Sequence, residues 1–344
     1  MPRDVLLGRD HLFIAEVAQA HDGNVATAHT LIDAAARAGV HAVKFQTHIA
    51  SAESTSREPW RVKFSARDAT RFDYWQRMEF SVKQWQELKA HCDEKGVEFM
   101  SSPFSPQAVE LLLDLGIRIW KVASGEVSNG QLLDCMKASH LPIIFSSGLS
   151  TIAELRLAVD RVQRPVTDFA ILQCATRYPT SADRIGLNVI AELQDEFGCV
   201  VGISDHSATV AAGLAAATLG ARIFEVHIRL ENDVSGPDAS SSLVESQVAE
   251  LVKGVAFVRE ALKNPVDKHS LSTDQEHLRR VFGRSLVASR SLNSGHVLES
   301  SDLEYKKPGG GLRYEDSQRL IGRRLRRSLV IDQAITEDDV EVDQ

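Results

Sequence analysis

Eight short apolar runs, at 12–17, 42–47, 98–102, 119–124, 142–147, 169–175, 200–206 and 222–228, recur along the chain with helix-like stretches between them. Most are rich in β-branched residues and end in polar ones, the pattern of parallel strands buried on both faces. Parallel neighbours need a crossover connection. Eight strand–helix units within the roughly 250 residues that such a ring occupies read as a (β/α)8 TIM barrel. Glycine closes the helical stretches 25–38, 83–95, 109–115 and 209–219, at Gly39, Gly96, Gly116 and Gly220. It takes the left-handed C-cap without a Cβ clash.

A barrel of this kind carries its chemistry at the C-terminal strand ends. Those ends hold Glu16, Lys44 with Gln46, Ser101 with Ser102, Lys121 with Ser124 and Glu126, Ser146 with Ser147, Tyr178, Ser204 with His206, and Glu225 with His227. Residues two apart on a strand share a face, so Lys44 pairs with Gln46 and Glu225 with His227. A lysine inside a barrel is costly unless it meets an anion. Lys44 and Lys121 among Ser102, Ser124, Ser146, Ser147 and Ser204 therefore point to a phosphate or carboxylate pocket. Lysines that snorkel to the surface, or one that forms a Schiff base, are the other readings of the same residues. His206 and His227 end adjacent strands, where both imidazoles reach one divalent metal that keeps positions open for water or substrate oxygens. A lone strand histidine would be structural. Glu16 and Glu126 are candidates for proton transfer or for holding hydroxyls.

The segment 48–80 is long for a connection and carries Trp60, Tyr74 and Trp75. It reads either as a cover over the barrel mouth or as a loop that its aromatic residues pin down. The last barrel helix is expected over 246–262, which sets a barrel domain at 1–262. A polar stretch at 263–275, with Asn264-Pro265, reads as a linker. A second small domain follows at 276–344, with short strands at 285–288, 302–306 and 328–330. Its arginines Arg313, Arg319, Arg323, Arg324, Arg326 and Arg327 read as solvated or interfacial. The net charge of −8 argues against a nucleic-acid partner. No apolar run nears the ~20 residues of a membrane span, and no signal-like stretch opens the chain. Cys92, Cys135, Cys174 and Cys199 have no CxxC spacing and read as reduced thiols, the expectation for a cytoplasmic protein.

The chain resembles the sialic acid synthase family, the phosphoenolpyruvate-dependent nonulosonate synthases, over nearly its whole length. The resemblance is carried by Ile14-Ala15-Glu16, His21-Asp22-Gly23, Val43-Lys44-Phe45-Gln46-Thr47, Ser102-Pro103-Phe104 and Lys121-Val122-Ala123-Ser124-Gly125-Glu126. Further on it is carried by Tyr178-Pro179-Thr180, Gly202-Ile203-Ser204-Asp205-His206-Ser207, Glu225-Val226-His227 and Gly236-Pro237-Asp238. The C-terminal domain is similar to the family's antifreeze-like (SAF, β-clip) domain.

The resemblance implies a reaction in which phosphoenolpyruvate condenses with the open-chain aldehyde of an N-acetylated amino sugar. Water attacks C2, C–O cleavage releases phosphate, and a nine-carbon 2-keto acid forms. It further implies that Lys44, Lys121, Ser124, Ser146 and Ser204 bind phosphoenolpyruvate, with Ser102 as another phosphate-binding hydroxyl and Ser147 beside them. His206 and His227 would hold a divalent ion of the manganese type, with magnesium or cobalt as substitutes. Glu16, Gln46, Tyr178 and Asp238 would place the sugar, and Glu126 would transfer a proton. A domain-swapped homodimer is implied as well.

Several positions depart from the family pattern. Lys307 stands before Pro308-Gly309 where an arginine usually contacts the N-acetyl group, and lysine lacks the planar fork. Thr176 and Ala20 replace asparagines, and Gln173 replaces a histidine. These changes bear on the identity of the sugar. Two other functions fit parts of the pattern. One is a metal-dependent, phosphoenolpyruvate-condensing barrel synthase that makes a shorter 3-deoxy-2-keto acid. The other is a non-catalytic carbohydrate-binding protein, which has no need of Lys44, Lys121, Glu126, His206 and His227 together.

Overall fold

The computed structural model describes residues 9–60, 62–63, 65–163, 168–232 and 236–341. Eight strands form one parallel sheet: β1 (Leu12–Glu16), β2 (Ala42–Thr47), β3 (Glu98–Pro103), β4 (Trp120–Val122), β5 (Ile143–Ser146), β6 (Phe169–Cys174), β7 (Val200–Asp205) and β8 (Ile223–His227). Their order is β3-β2-β1-β8-β7-β6-β5-β4, and β3 and β4, the two ends of that order, lie side by side and close the ring.

Alternation along each strand decides what stands inside. Leu12, Ile14, Ala42, Met100, Ile119, Ile144, Ala170, Leu172 and Ile223 fill the interior as one buried apolar plug. Two residues further on, the same inward faces carry Glu16, Lys44, Ser102, Lys121, Ser146, Cys174 and Glu225. Polar groups thus stand on an apolar floor. Gly202 holds an inward position on β7, where a Cβ would lie 2.2 Å from the Ile223 carbonyl oxygen. The outward faces pack against the helices in a second, larger apolar cluster. The Gly39 and Gly96 caps have φ of 85° and 72° and end the helices Val25–Ala38 and Val82–Lys95.

Strand β4 is shorter than the run that announced it. Ser124–Glu126 leaves the strand as a single 3-10 turn. The segment after β2 holds two helices, Ala50–Glu53 and Arg71–Met78, while its residues 61 and 64 lie outside the described residues. Arg77 ties this segment to the loop after β1 through Asp22 (2.6 Å) and also grips Asp68 (2.8 Å).

The chain divides into two compact units between Asn264 and Pro265. The helix Glu245–Lys263 ends the first. The stretch read as a linker is partly helical, because Thr273–Phe282 starts inside it behind a Ser272/Gln275 capping box. In the second unit β9 (Ser285–Ala288) pairs antiparallel with β10 (Leu303–Lys306). The stretch 328–330 is not a strand and contributes one bridge, Leu292 to Leu329. A small core of Leu286, Leu292, Leu298, Leu325, Leu329 and Ile335 is closed by buried Asp302 and Asp339, paired with Arg290 and Arg327. Residues 342–344 of this domain lie outside the described residues. Among the described residues no helix is long and apolar enough to cross a membrane.

Candidate active site

An open cavity of about 440 Å³ lies over the C-terminal strand ends. That is a volume suited to one or two small substrates. Strand register puts its charged groups at one height: Glu16 pairs with Lys44 across β1–β2 and with His227 across β1–β8, and Ser204 pairs with Glu225 across β7–β8.

Lys44 and Lys121 are 3% and 1% exposed, so both are interior cations and neither snorkels. Lys44 is ion-paired with Glu16, donates to Ser102 Oγ (3.3 Å) and lies 3.9 Å from Glu225. Lys121 donates to Ser146 Oγ (2.6 Å) and lies 3.6 Å from the other Glu225 oxygen, which accepts from Ser204 Oγ (2.8 Å). Two ammoniums and two carboxylates therefore form a buried, near-neutral quartet with serine hydroxyls around it.

The environments of the two carboxylates differ. Burial raises Glu16 to about 7, against Lys44 and with the help of the Glu225 charge. Burial also disfavours the Glu225 charge, but Lys121 and Lys44 outweigh it and hold that carboxylate down at about 2. Burial pulls Lys121 below its ordinary value. For Lys44 the pull of burial is exceeded by Glu16 and Glu225, which raise it. Burial also raises Glu126, which accepts from Asn129 Nδ2 at 2.7 Å.

His206 and His227 meet edge to face with ring centroids 5.1 Å apart, and Tyr178 lies tilted against His206 at 4.2 Å. His206 Nδ1 donates to the Ala175 carbonyl (3.3 Å), which fixes the ring, and Asp238 lies 3.9 Å from His227 Nδ1. The Thr180 N–H bonds the His206 carbonyl at 2.9 Å and ties the Tyr178 loop to β7.

Glu16, Lys44, Gln46, Lys121, Ser124, Glu126, Ser146, Thr176, Tyr178, Ser204, His206, His227 and Asp238 all line the cavity. Ser102 and Ser147 are buried behind this wall: Ser102 holds Lys44, and Ser147 Oγ donates to Gln173 (3.2 Å). Lys307 belongs to the second unit, where its ammonium lies 5.7 Å over the Phe282 ring. Sequence reasoning named Glu225 as a strand end but gave it no role, although it is the carboxylate both lysines share. It missed Gln19, His48, Glu53, Glu58, Arg71 and Cys174, which also line the cavity. Cys174 and Gln19 carried a period-two or adjacency signal; His48, Glu53, Glu58 and Arg71 sit in a segment without periodicity. Of the segment's aromatics, Trp60, Tyr74 and Trp75 line the cavity, with Trp75 donating to Glu58 (2.8 Å).

Buried cations, hydroxyls and paired imidazoles on the catalytic face of a (β/α)8 barrel define an enzyme that works on a small anionic substrate. The chain belongs to the NeuB family, whose pattern matches residues 31–267, and residues 283–341 match the SAF domain. It is 29% identical to the N,N'-diacetyllegionaminic acid synthase of Campylobacter jejuni, over 95% of this chain and 99% of that protein. It is 30% identical to the human N-acetylneuraminate-9-phosphate synthase, over 95% of this chain and 92% of that one. Among solved structures it is similar to N-acetylneuraminic acid synthetase from Leptospira borgpetersenii, with a TM-score of 0.68, 26% identity and coverage of 78% and 90%.

Proposed function

We propose that the chain is a synthase that condenses phosphoenolpyruvate with an N-acetylated amino sugar to give a nonulosonic acid and phosphate. The observation that carries this reading is the pair of buried ammoniums, Lys44 and Lys121, among Ser146, Ser124 and Ser204. Two such groups suit a strongly anionic substrate, to which they give charge-assisted hydrogen bonds. Lys121 and Ser146 would orient the phosphate, and Lys44 would neutralise the neighbouring charge. C3 of phosphoenolpyruvate bonds to the aldehyde carbon, water adds to C2, and the C–O bond to phosphate breaks. Glu126, half-buried in the cavity wall and so protonated more readily, would donate or accept the proton, while Glu16, Gln46, Tyr178 and Asp238 would hold the sugar.

His206 and His227 fit a divalent ion by their donor chemistry. The Ala175 carbonyl takes the Nδ1–H of His206, which leaves its Nε2 for a ligand bond. No group of three or more His, Cys, Asp or Glu side chains forms a closed metal cage among the described residues, so two imidazoles would leave positions for substrate oxygens. A bound manganese-type ion would supply Lewis acidity to the sugar aldehyde. The same reading includes a cytoplasmic location, supported by four free cysteines, and a homodimer, as the resemblance implies. The lysine at 307 supports a diacetamido or otherwise modified hexose as acceptor in place of N-acetylmannosamine.

The test is phosphate release from phosphoenolpyruvate with manganese, against N-acetylmannosamine, its 6-phosphate, diacetamido-dideoxyhexoses and arabinose 5-phosphate. Turnover with one N-acylated hexose is expected. Turnover with arabinose 5-phosphate alone would move the enzyme to the shorter-chain synthases. Efficient use of N-acetylmannosamine with no gain for diacetamido sugars would remove the acceptor assignment alone.

A further inference from the structure

The segment after β2 buries a histidine that the reaction above does not use. The His48 ring is stacked between Trp75 (centroids 4.1 Å, planes 19° apart) and Phe104 (4.5 Å, 14°). Two aromatic plates fix the plane of the ring, and polar contacts at both nitrogens fix its rotation. Nδ1 lies 2.6 Å from Glu53 Oε1, and the other Glu53 oxygen accepts the Ile49 N–H at 3.3 Å. Nε2 lies 3.0 Å from Gln19 Nε2 and 3.2 Å from Gln46 Oε1. Gln19 Nε2 donates to Gln46 Oε1 at 2.6 Å, and Gln46 Nε2 donates to Glu16 Oε1 at 3.0 Å.

With Glu16 ionised against Lys44, the carboxylates at the two ends set the direction of every bond between them, because a carboxylate only accepts. Gln46 must turn its NH2 to Glu16 and hence its carbonyl to Gln19. Gln19 must then present its own NH2. His48 Nε2, nearer to that nitrogen than to the Gln46 oxygen, accepts from it, and the ring hydrogen sits on Nδ1 facing Glu53. A phenylalanine would serve the stacking equally well, so the ring nitrogens and Glu53 have a separate use.

We propose that Glu53, His48 and Gln19 form a relay that positions the Gln46 amide, so that the cavity wall offers an N–H to an oxygen of the acceptor sugar. His48 is a positioning residue here, and the proposal rests on the synthase reading for the identity of the ligand. One part of the test needs no turnover. Long-range 15N NMR of the histidine-labelled full chain at a pH of about 8.5, where Glu16 is ionised, is expected to show His48 with its hydrogen on Nδ1 and a bare Nε2. A hydrogen on Nε2 overturns the relay.

The second part is kinetic. H48F keeps the aromatic stack and removes both nitrogens, and Q19M cuts the relay at the next link while leaving the Glu53–His48 contact in place. Each is expected to raise the acceptor KM about tenfold, the scale of one hydrogen bond, and to leave the phosphoenolpyruvate KM unchanged. An unchanged acceptor KM in either folded variant, or equal losses toward both substrates, overturns the proposal. Absence of turnover by the native chain with every acceptor would sink the synthase reading, while the NMR result still decides the relay.

Discussion

Replacing Glu225 by glutamine keeps the shape of the side chain and its bond to Ser204 but removes the charge that both buried lysines share. Glu225 lies 3.6 Å from the Lys121 ammonium and 3.9 Å from that of Lys44. At an effective dielectric of about 20, each attraction is worth about 4–5 kcal/mol before desolvation is counted. Breaking a buried pair by removing one partner costs about 3–5 kcal/mol, because the other charge stays buried. Lys44 keeps Glu16, so Lys121 bears most of the loss. In a barrel of this size, 1 kcal/mol moves the thermal midpoint by about 2–4 °C, so the barrel transition of E225Q should fall by roughly 10 °C. Inorganic phosphate should then restore the variant more than it stabilises the native protein, since it replaces the missing negative charge. At 100 times Kd an anion contributes about 2.7 kcal/mol to a protein that binds it only when folded. Calorimetric scans of both proteins with and without phosphate measure the two quantities. A drop worth less than ~1 kcal/mol would show that Lys121 does not depend on Glu225. An equal rise in both would show that phosphate does not take the place of Glu225, and phosphate that stabilises neither protein would refute the anion pocket itself.

Three further outcomes are expected. Glu16, raised to about 7 and further by a bound anion, is protonated at low pH and becomes a charged acceptor above its titration, so kcat/KM for the sugar should rise with pH through a limb above 7. Glu16→Gln should flatten that limb, and a limb that survives belongs to another group. Gly148→Ala should weaken phosphoenolpyruvate use on the order of a hundredfold, because its Cβ would lie 2.1 Å from Thr176 Oγ1 and 2.9 Å from Ser124 Oγ; an unaltered KM would mean that this corner of the cavity does not hold substrate. Chelation should abolish turnover and manganese should restore it, and His227→Ala should bind less metal by elemental analysis; full activity in metal-stripped protein would end the metal assignment.

The barrel was legible because its strands are buried on both faces, so each shows as an unbroken apolar run with one polar exit. Period two put Lys44 with Gln46 and Glu225 with His227 on shared faces, and Lys121 was marked by its place at a strand end. The polarity of the site was therefore written in strand residues, whose direction the backbone fixes. Its upper wall was not. His48, Glu53, Glu58 and Arg71 come from a segment whose path depends on contacts distant in sequence, such as Arg77 with Asp22 and Trp75 with Glu58. Nothing local in that stretch states which side chains face the cavity. The helix Thr273–Phe282 failed to register for a different reason. Its apolar residues, Leu278, Val281 and Phe282, are exposed and confined to its second half, so its start inside a polar stretch is marked only by its capping box.

The resting charges also account for how a site with two buried lysines stays folded before any substrate arrives. Glu225, held down by Lys121 and Lys44, is the steadier counter-charge, while Glu16, raised by burial, takes up a proton more readily. An anion that enters between Lys44 and Lys121 competes with both carboxylates for the same ammoniums. The fixed charge of Glu225 can yield only by losing contact, whereas Glu16 can yield by taking up a proton. The anion's negative charge favours that proton further, because a like charge nearby raises a carboxyl's affinity for it. Glu225, which both ammoniums reach, would hold the pocket together before substrate binds, and Glu16, the more readily protonated of the two, would give up its charge as the anion arrives.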